Sequence, residues 1–231
     1  MAARACVVVP AFQAGRTVGP VVAALTRTLE VPVLVVDDGS TDATASAAAD
    51  QGAEVVRHER NLGKGAALQT GLRRAATLGY RLALTVDADG QHPADSARDV
   101  LHGSDDERAL VLGVRNLRRD GAPRASRFSN GISNFFLSRF AGVPLHDTQC
   151  GLRRYPVRET LELGGSAAGY AFEAEIILRA VAAGLPVVEV EIQVAYSEAS
   201  ARGSHFHAVR DPARIIGAVV RTVVDLRRRR P

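Results

Sequence analysis

Residues 85–93 read TVDADGQHP, with two carboxylates flanking one alanine at the end of an apolar run. In a regular strand Asp87 and Asp89 face opposite ways. At a strand end that breaks into a turn both can converge, and Gly90 and Pro93 supply that turn. A hard divalent cation takes oxygen ligands and lets phosphate and water complete its shell. Asp87, Asp89 and the amide oxygen of Gln91 are therefore candidate partial ligands, although DAD alone reads first as an acidic turn. Asp37 and Asp38, in VVDDGSTD, have the same two readings: acceptors for a base N–H or ribose hydroxyl, or a turn leading into a helix. In NLGKGAALQTG, Lys64 stands between two glycines at a helix start, where an anion can be met. Gly65 follows Lys64, so the GxxxxGK[ST] spacing of a nucleoside-triphosphate loop is not met.

These motifs need a scaffold that brings strand ends together. Short Val/Leu runs at 5–9, 33–37, 54–57, 82–86 and 109–113 predict strands buried on both faces. Helical segments near 17–29, 41–51, 63–78 and 94–101 alternate with them, which predicts a mostly parallel sheet covered by helices. In such sheets ligands bind beyond the carboxyl ends of strands, where PAFQAG, VVDDGSTD and VDADGQHP all fall. Ser40 or Thr41 is the expected cap of the second helix, with Asp42 in its first turn. After Gly113 come a basic, turn-rich stretch, a helix over 127–141 and a compact motif at 147–155. Helices near 157–161 and 171–183, an alternating strand over 187–194, a loop at 197–206 and a terminal helix over 208–227 complete the chain. A single α/β domain spanning 1–231 is the simplest organisation.

Composition narrows the class. A chain of 231 residues can bury a sizeable core. Its two cysteines form no CxxC pair, which fits a reduced, cytoplasmic setting. No apolar run approaches the roughly 20 residues of a membrane span. MAARACVVVPAF reads as a buried strand rather than a signal peptide. The net charge is +4, with arginines crowded at 115–127 and a terminal run from Arg227 to Arg230. No aromatic-interleaved basic motif or zinc spacing is present, so an anionic membrane surface is favoured over nucleic acid.

Taken in order, PAFQAGRTV, VVDDGSTD, NLGKGAALQTG, VDADGQHP and DTQCGLRRY resemble glycosyltransferase family 2, and within it the polyprenyl-phosphate hexosyltransferases of the dolichyl-phosphate mannosyltransferase group. The resemblance runs from residue 5 to about 207. It implies a GT-A fold, a nucleotide sugar of the GDP-mannose or UDP-glucose type, and Mg²⁺ or Mn²⁺. On that resemblance Pro10, Phe12, Val36 and Asp38 line a nucleotide pocket, and Asp87, Ala88, Asp89 and Gln91 match the metal and diphosphate motif. Arg115 matches an arginine near the transferring phosphate, Arg127 a second one on the acceptor side, and Asp147, Gln149 and Arg153 the later signature. The sequence also departs from the pattern. Gln13-Ala14 replace a usual Asn-Glu, and in ARGSHFH His205 stands where a lysine is common, Ala199 at the aligned arginine and Arg202 at a shifted position.

The implied chemistry is inverting transfer, with the cation neutralising the leaving nucleoside diphosphate while a lipid phosphate attacks the anomeric carbon. A phosphate monoester has a second pKa of about 6 and needs no dedicated base. Arg115 and Arg127 would offset repulsion between the two phosphates. A lipid acceptor requires a bilayer, and Phe128, Ile132, Phe135, Phe136 and Phe140 recur at helical spacing. Two readings follow, an interfacial helix or a core helix. Residues 208–231 add an amphipathic helix and a basic tail suited to an anionic leaflet. The expected location is the cytoplasmic face of a membrane, peripherally or through a membrane-protein partner. A family 2 enzyme acting on a hydroxyl would instead need a base, for which Asp147, Glu173 and Glu175 are candidates. A non-catalytic nucleotide-sugar or membrane-binding module is the remaining class.

Overall fold

The computed structural model describes residues 4–122, 124–165, 167, 169, 171–195 and 210–228, with the backbone alone at Ala125 and at 210–216. Arg202, His205 and Ala199 lie outside the described residues.

The apolar runs form strands β1 (Ala5–Ala11), β2 (Val33–Asp37), β3 (Glu54–Arg57), β4 (Leu82–Thr85) and β5 (Leu110–Arg115). Between them lie α1 (Val18–Leu29), α2 (Thr44–Ala49), α3 (Lys64–Thr77) and α4 (Ala94–Leu101). Then come α5 (Arg124–Ala141), β6 (Arg153–Pro156), α6 (Val157–Leu163), α7 (Ala171–Ala182), β7 (Val187–Ile192) and α8 (Arg210–Arg228).

The seven strands make one sheet in the order β3-β2-β1-β4-β6-β5-β7, and only β6 runs antiparallel to its neighbours. Both faces are buried along β2 and β4 and over most of β1 and β5, as continuous Val runs require, but β3 lies at the sheet edge and buries none of its residues, contrary to the expectation for 54–57. Cys6 and Val8 face a core shared with α3, α5, α7 and α8, while Val7 and Val9 face one shared with α1 and α4. Both cysteines are buried and unpaired.

Two local expectations change. Neither Ser40 nor Thr41 caps α2, whose N-cap is Ala43. Asp42 accepts the Thr44 N–H at 3.0 Å, and Ser40 accepts the Gln13 N–H at 2.9 Å, so the capping residues join loops instead. The motif at 147–155 ends in a strand that alternation does not suggest, because RRYP begins with two arginines. Each arginine is buried against carbonyls. Arg153 donates to Cys150, Thr148 and Glu173 carbonyls, and Arg154 to those of Leu101, Ser104 and Asp106. A buried guanidinium is tolerated when most of its donors are taken up in this way; Arg154 Nε alone of these two side chains is buried without a hydrogen-bond partner.

Candidate active site

The strand registers gather the motifs. Ala11 pairs with Asp37, Val8 with Thr85, and Thr85 with Arg153, so β1, β2 and β4 end beside the point where β6 begins. The parallel strand β5 ends at Arg115 along the same edge. Thr85 Oγ1 donates to the Gly151 carbonyl at 2.9 Å and latches the end of β4 to the DTQCG segment.

Asp87 sits in this gap. Its Oδ1 is 2.7 Å from Lys64 Nζ, whose ammonium also lies 3.4 Å from Glu173 Oε2 on α7. Gly151 lies against the other side of the carboxylate, where a Cβ would come within 2.2 Å of Asp87 Oδ2. Burial opposes ionisation of Asp87, but Lys64 and the neighbouring His92 and Arg115 hold its carboxyl below the usual range. Asp89 behaves oppositely. Burial and then the charge of Asp87 push it up to about 6. Its Oδ1 accepts the Gln91 N–H at 3.0 Å, so the acidic turn expected from the sequence is present together with the carboxylate pair. Burial holds His92 down to about 4 against the pull of Asp87, so its ring is neutral near pH 7.

Two carboxylates that resist joint ionisation are suited to a divalent cation, which would relieve their repulsion. Among the described residues no group of three or more His, Cys, Asp or Glu side chains is arranged to hold a metal by itself. Asp87 and Asp89 therefore fit an ion that shares its shell with a ligand's phosphates and water.

Arg115 is fixed by Asp147, which is fully buried. Its Nε donates to Oδ2 at 2.6 Å, its Nη2 to Oδ1 at 3.0 Å, and its own backbone N–H to Oδ2 at 3.1 Å. This two-pronged contact orients the guanidinium at the end of β5. Arg153 holds the 147–150 segment through its carbonyls, which makes it a positioning residue. Gln149 Nε2 donates to Ser129 Oγ at 3.1 Å and ties that segment to α5, two residues after Arg127. Arg127 is half-buried on α5.

The nucleotide-pocket residues divide. Pro10 pairs with Val36 across β1 and β2, and Phe12 follows the end of β1, half-buried. Val36 is fully buried, with its side chain toward α3 at Gly71, so it borders this region through its backbone. Asp38 accepts the Leu62 N–H at 2.9 Å and the Gly63 N–H at 2.7 Å, and His58 Nδ1 lies 2.7 Å away. It thereby clamps the loop that delivers Lys64. Ala88 is buried between the two carboxylates. The Gln91 carbonyl accepts the Ala195 N–H at 2.9 Å, which places the last described residue before 196–209 at the carboxylate turn.

The sequence points Lys64 at an anion, but not at Asp87 and Glu173 in particular, and it gives no sign of the parts that Gly151 and His92 play. One signal does single out Lys64: it is the only lysine among 29 basic residues. Farther out, a shallow groove of about 620 Å³ opens beside the end of α5, lined by Phe135, Arg139, Val143, Pro144 and Leu145 among others.

Residues 6–161 match the model of glycosyl transferase family 2. An uncharacterized protein of Methanocaldococcus jannaschii is 32% identical over 86% of this chain and 85% of its own length. Polyprenol monophosphomannose synthase of Mycolicibacterium smegmatis is 33% identical over 71% of this chain, which spans 66% of that protein. Glucosyl-3-phosphoglycerate synthase from Mycobacterium tuberculosis, crystallised with Mn²⁺, UDP and phosphoglyceric acid, superposes with a TM-score of 0.72 at 18% identity, covering 96% of this chain and 78% of that one. This likeness shows a GT-A-like fold: a mixed seven-stranded sheet flanked by helices. With the family match spanning most of the chain, the protein belongs to glycosyltransferase family 2 and is a glycosyltransferase.

Proposed function

We propose that the protein transfers a hexose, with inversion and with a divalent cation, from a nucleotide sugar to a polyprenyl phosphate. One observation carries the choice of acceptor. The three carboxylates that could serve a hydroxyl acceptor as base are already committed. Asp147 is held by Arg115, Glu173 lies against Lys64, and Glu175 pairs with Arg179 at 2.8 Å while accepting the Ala167 N–H. An acceptor that arrives ionised, as a phosphate monoester does near neutrality, needs none of them. The mycobacterial relative's name points to the same acceptor class.

Bound by Asp87, Asp89 and the donor's diphosphate, Mg²⁺ or Mn²⁺ would supply the charge that stabilises the leaving group. Gln91 is a candidate third oxygen. Pro10, Phe12, Val36 and Asp38 are assigned to the border of the nucleotide pocket, Val36 and Asp38 by shaping its walls. Arg202 and His205 are assigned to the late phosphate-gripping loop. Arg115 and Arg127 are assigned to the acceptor side, where Arg115, held through Nε and Nη2 by Asp147, would act as an oriented positive charge rather than as a free fork. Replacing Arg115 by glutamine is expected to lower kcat about a hundredfold with less than about a threefold change in donor KM. Steady-state kinetics checks this, with melting curves to confirm folding; a larger change in donor KM than in kcat would reassign Arg115 to donor binding.

The acceptor also demands a membrane surface. No helix among the described residues is long and apolar enough to cross one. On α5, however, Phe128 is 72% and Phe135 67% exposed, with Phe140 also exposed. Phe136, half-buried, stacks on Phe140 and meets Phe135 edge-on, so the exposed rings form one cluster, while Leu137 of the same helix enters the core. The neighbouring α8 exposes Val220 and Val224 ahead of Arg227 and Arg228. An interfacial helix places such rings in the acyl boundary and its arginines among headgroups. We assign the protein to the cytoplasmic face of a membrane as a peripheral enzyme, docked directly or beside a membrane-protein partner. The double change Phe128→Ser with Phe135→Ser is expected to weaken flotation with anionic liposomes at least about tenfold, each ring contributing on the order of 1.5–3 kcal/mol when buried. Unaltered flotation would return α5 to a passive surface.

Incubating the protein with Mn²⁺ or Mg²⁺, GDP-mannose or UDP-glucose, and undecaprenyl or dolichyl phosphate is expected to yield a glycolipid. Product formation on hydroxyl acceptors alone would refute the lipid-phosphate reading.

A further inference from the structure

We propose that Lys64 is the resident counter-cation of the unloaded site, holding on Asp87 the place taken by the divalent ion, so that ion and donor diphosphate bind together rather than one after the other. The inference rests on the metal-dependent reading above.

The ammonium lies 2.7 Å from Asp87 Oδ1 and 3.4 Å from Glu173 Oε2, so one point charge serves two carboxylates, and the nearer is a candidate metal ligand. The backbone around Lys64 is pinned on both sides. Asp38 accepts the N–H groups of Leu62 and Gly63. On the other side, a Cβ at Gly65 would come within 2.9 Å of the Gly169 carbonyl oxygen and 3.0 Å of that of Ala167, so the start of α3 abuts this segment. Adjustment is left to the side chain, whose four-carbon stem lets the ammonium move while α3 stays in place. A second berth exists at Glu173, which is buried and already 3.4 Å from the ammonium through Oε2; its Oε1 accepts no hydrogen bond, with Arg153 Nε 3.9 Å away.

The residue type suits this role. In a chain with one lysine among 29 basic residues, an arginine here would be the ordinary choice. A guanidinium locks onto a carboxylate through a planar fork, as Arg115 does on Asp147, and is poorly suited to letting go. A divalent ion arriving alone must displace the ammonium from Asp87 against like-charge repulsion. An ion arriving with a diphosphate brings new negative charge for the displaced ammonium, so the exchange becomes favourable.

Mn²⁺ titration of the full chain followed by electron paramagnetic resonance, without nucleotide and then with UDP or GDP, tests the proposal. Lys64→Met, and Lys64→Gln as a second variant, are expected to bind Mn²⁺ alone about tenfold tighter than the wild type and to gain less from the added diphosphate. Glu173→Gln, which removes the second berth, is expected to bind Mn²⁺ alone more weakly than the wild type. General structural damage would weaken all three variants alike. Folded Lys64 variants that bind Mn²⁺ alone no tighter than the wild type, with the same gain from diphosphate, overturn the role of Lys64 and leave the metal reading standing. Absence of Mn²⁺ binding to the wild type with either diphosphate overturns both.

Discussion

Asp89→Asn is expected to cut glycosyl transfer at least about a thousandfold and, in metal-free protein, to raise thermal stability above pH 6. The two halves of this result share one cause. Burial and the neighbouring charge of Asp87 push Asp89 up to about 6, so the folded state favours its protonated form. Above pH 6 the carboxylate is ionised in both folded and unfolded chains, and ionisation costs more in the folded one. Below about pH 4, near the ordinary carboxylate value of 3.8, it is protonated in both and the cost vanishes. Asparagine keeps an oxygen for the Gln91 N–H and removes the charge, so it gains stability only in the upper range. Each tenfold weakening of an acid corresponds to about 1.4 kcal/mol. With partial solvent screening, the gain is on the order of 1–2 kcal/mol, or about 2–4 °C for a chain of this size. Melting curves in EDTA at pH 4 and pH 7.5, beside turnover with Mn²⁺, would check it. Full activity in the variant would remove Asp89 from the chemistry, and a gain independent of pH would show that its charge is not the cause.

The second large effect is expected from a residue that carries no functional group. Gly151→Ala should lower turnover about a hundredfold and weaken Mn²⁺ binding in the presence of diphosphate, with the fold retained. The added methyl would lie 2.2 Å from Asp87 Oδ2 and 2.7 Å from its Cγ. Something must give, and the backbone is the stiffer partner. The Gly151 carbonyl is held by Thr85 Oγ1, and Gly151 leads directly into β6. Its φ is not in the positive range, so alanine meets no conformational penalty of its own there. The strain therefore falls on the Asp87 carboxylate, which is driven off its seat against Lys64. Circular dichroism would establish folding, and kinetics with Mn²⁺ titration would give the effect. Activity within about threefold of the wild type would mean that Asp87 tolerates displacement and is not held to a metal geometry.

Much of the scaffold is legible in the sequence because its signals are local. ACVVV and VLVVD are continuous apolar runs, and such runs belong to strands covered on both faces; β1 and β2 are of that kind. The carboxylate turn is legible for the same reason, since Gly90 and Pro93 lie within the motif and Asp89 accepts the N–H two residues on. β6 is not legible, because the donors of its buried arginines are taken up by carbonyls, which for Arg154 come from residues far away in sequence. Neither is the state of the base candidates. An isolated Asp147 looks available, and only folding pairs it with Arg115, whereas Glu175 and Arg179 are an i,i+4 pair that helical spacing alone brings together. The phenylalanines of α5 have two readings, since helical spacing defines a stripe but not what lies against it. The fold leaves Phe128 and Phe135 in solvent.

The sequence by itself determined the family, the alternation of strands and helices, and which carboxylates stand at strand ends, because these depend on residue type, order and short-range periodicity. The tertiary structure alone decided which charges meet. Lys64 reaches Asp87 and Glu173, Asp147 closes on Arg115, and Gly151 makes room for the Asp87 carboxylate. Coulomb energy and steric exclusion depend on distance in space, and the sheet order β1-β4-β6-β5 brings these segments within a few ångströms of one another.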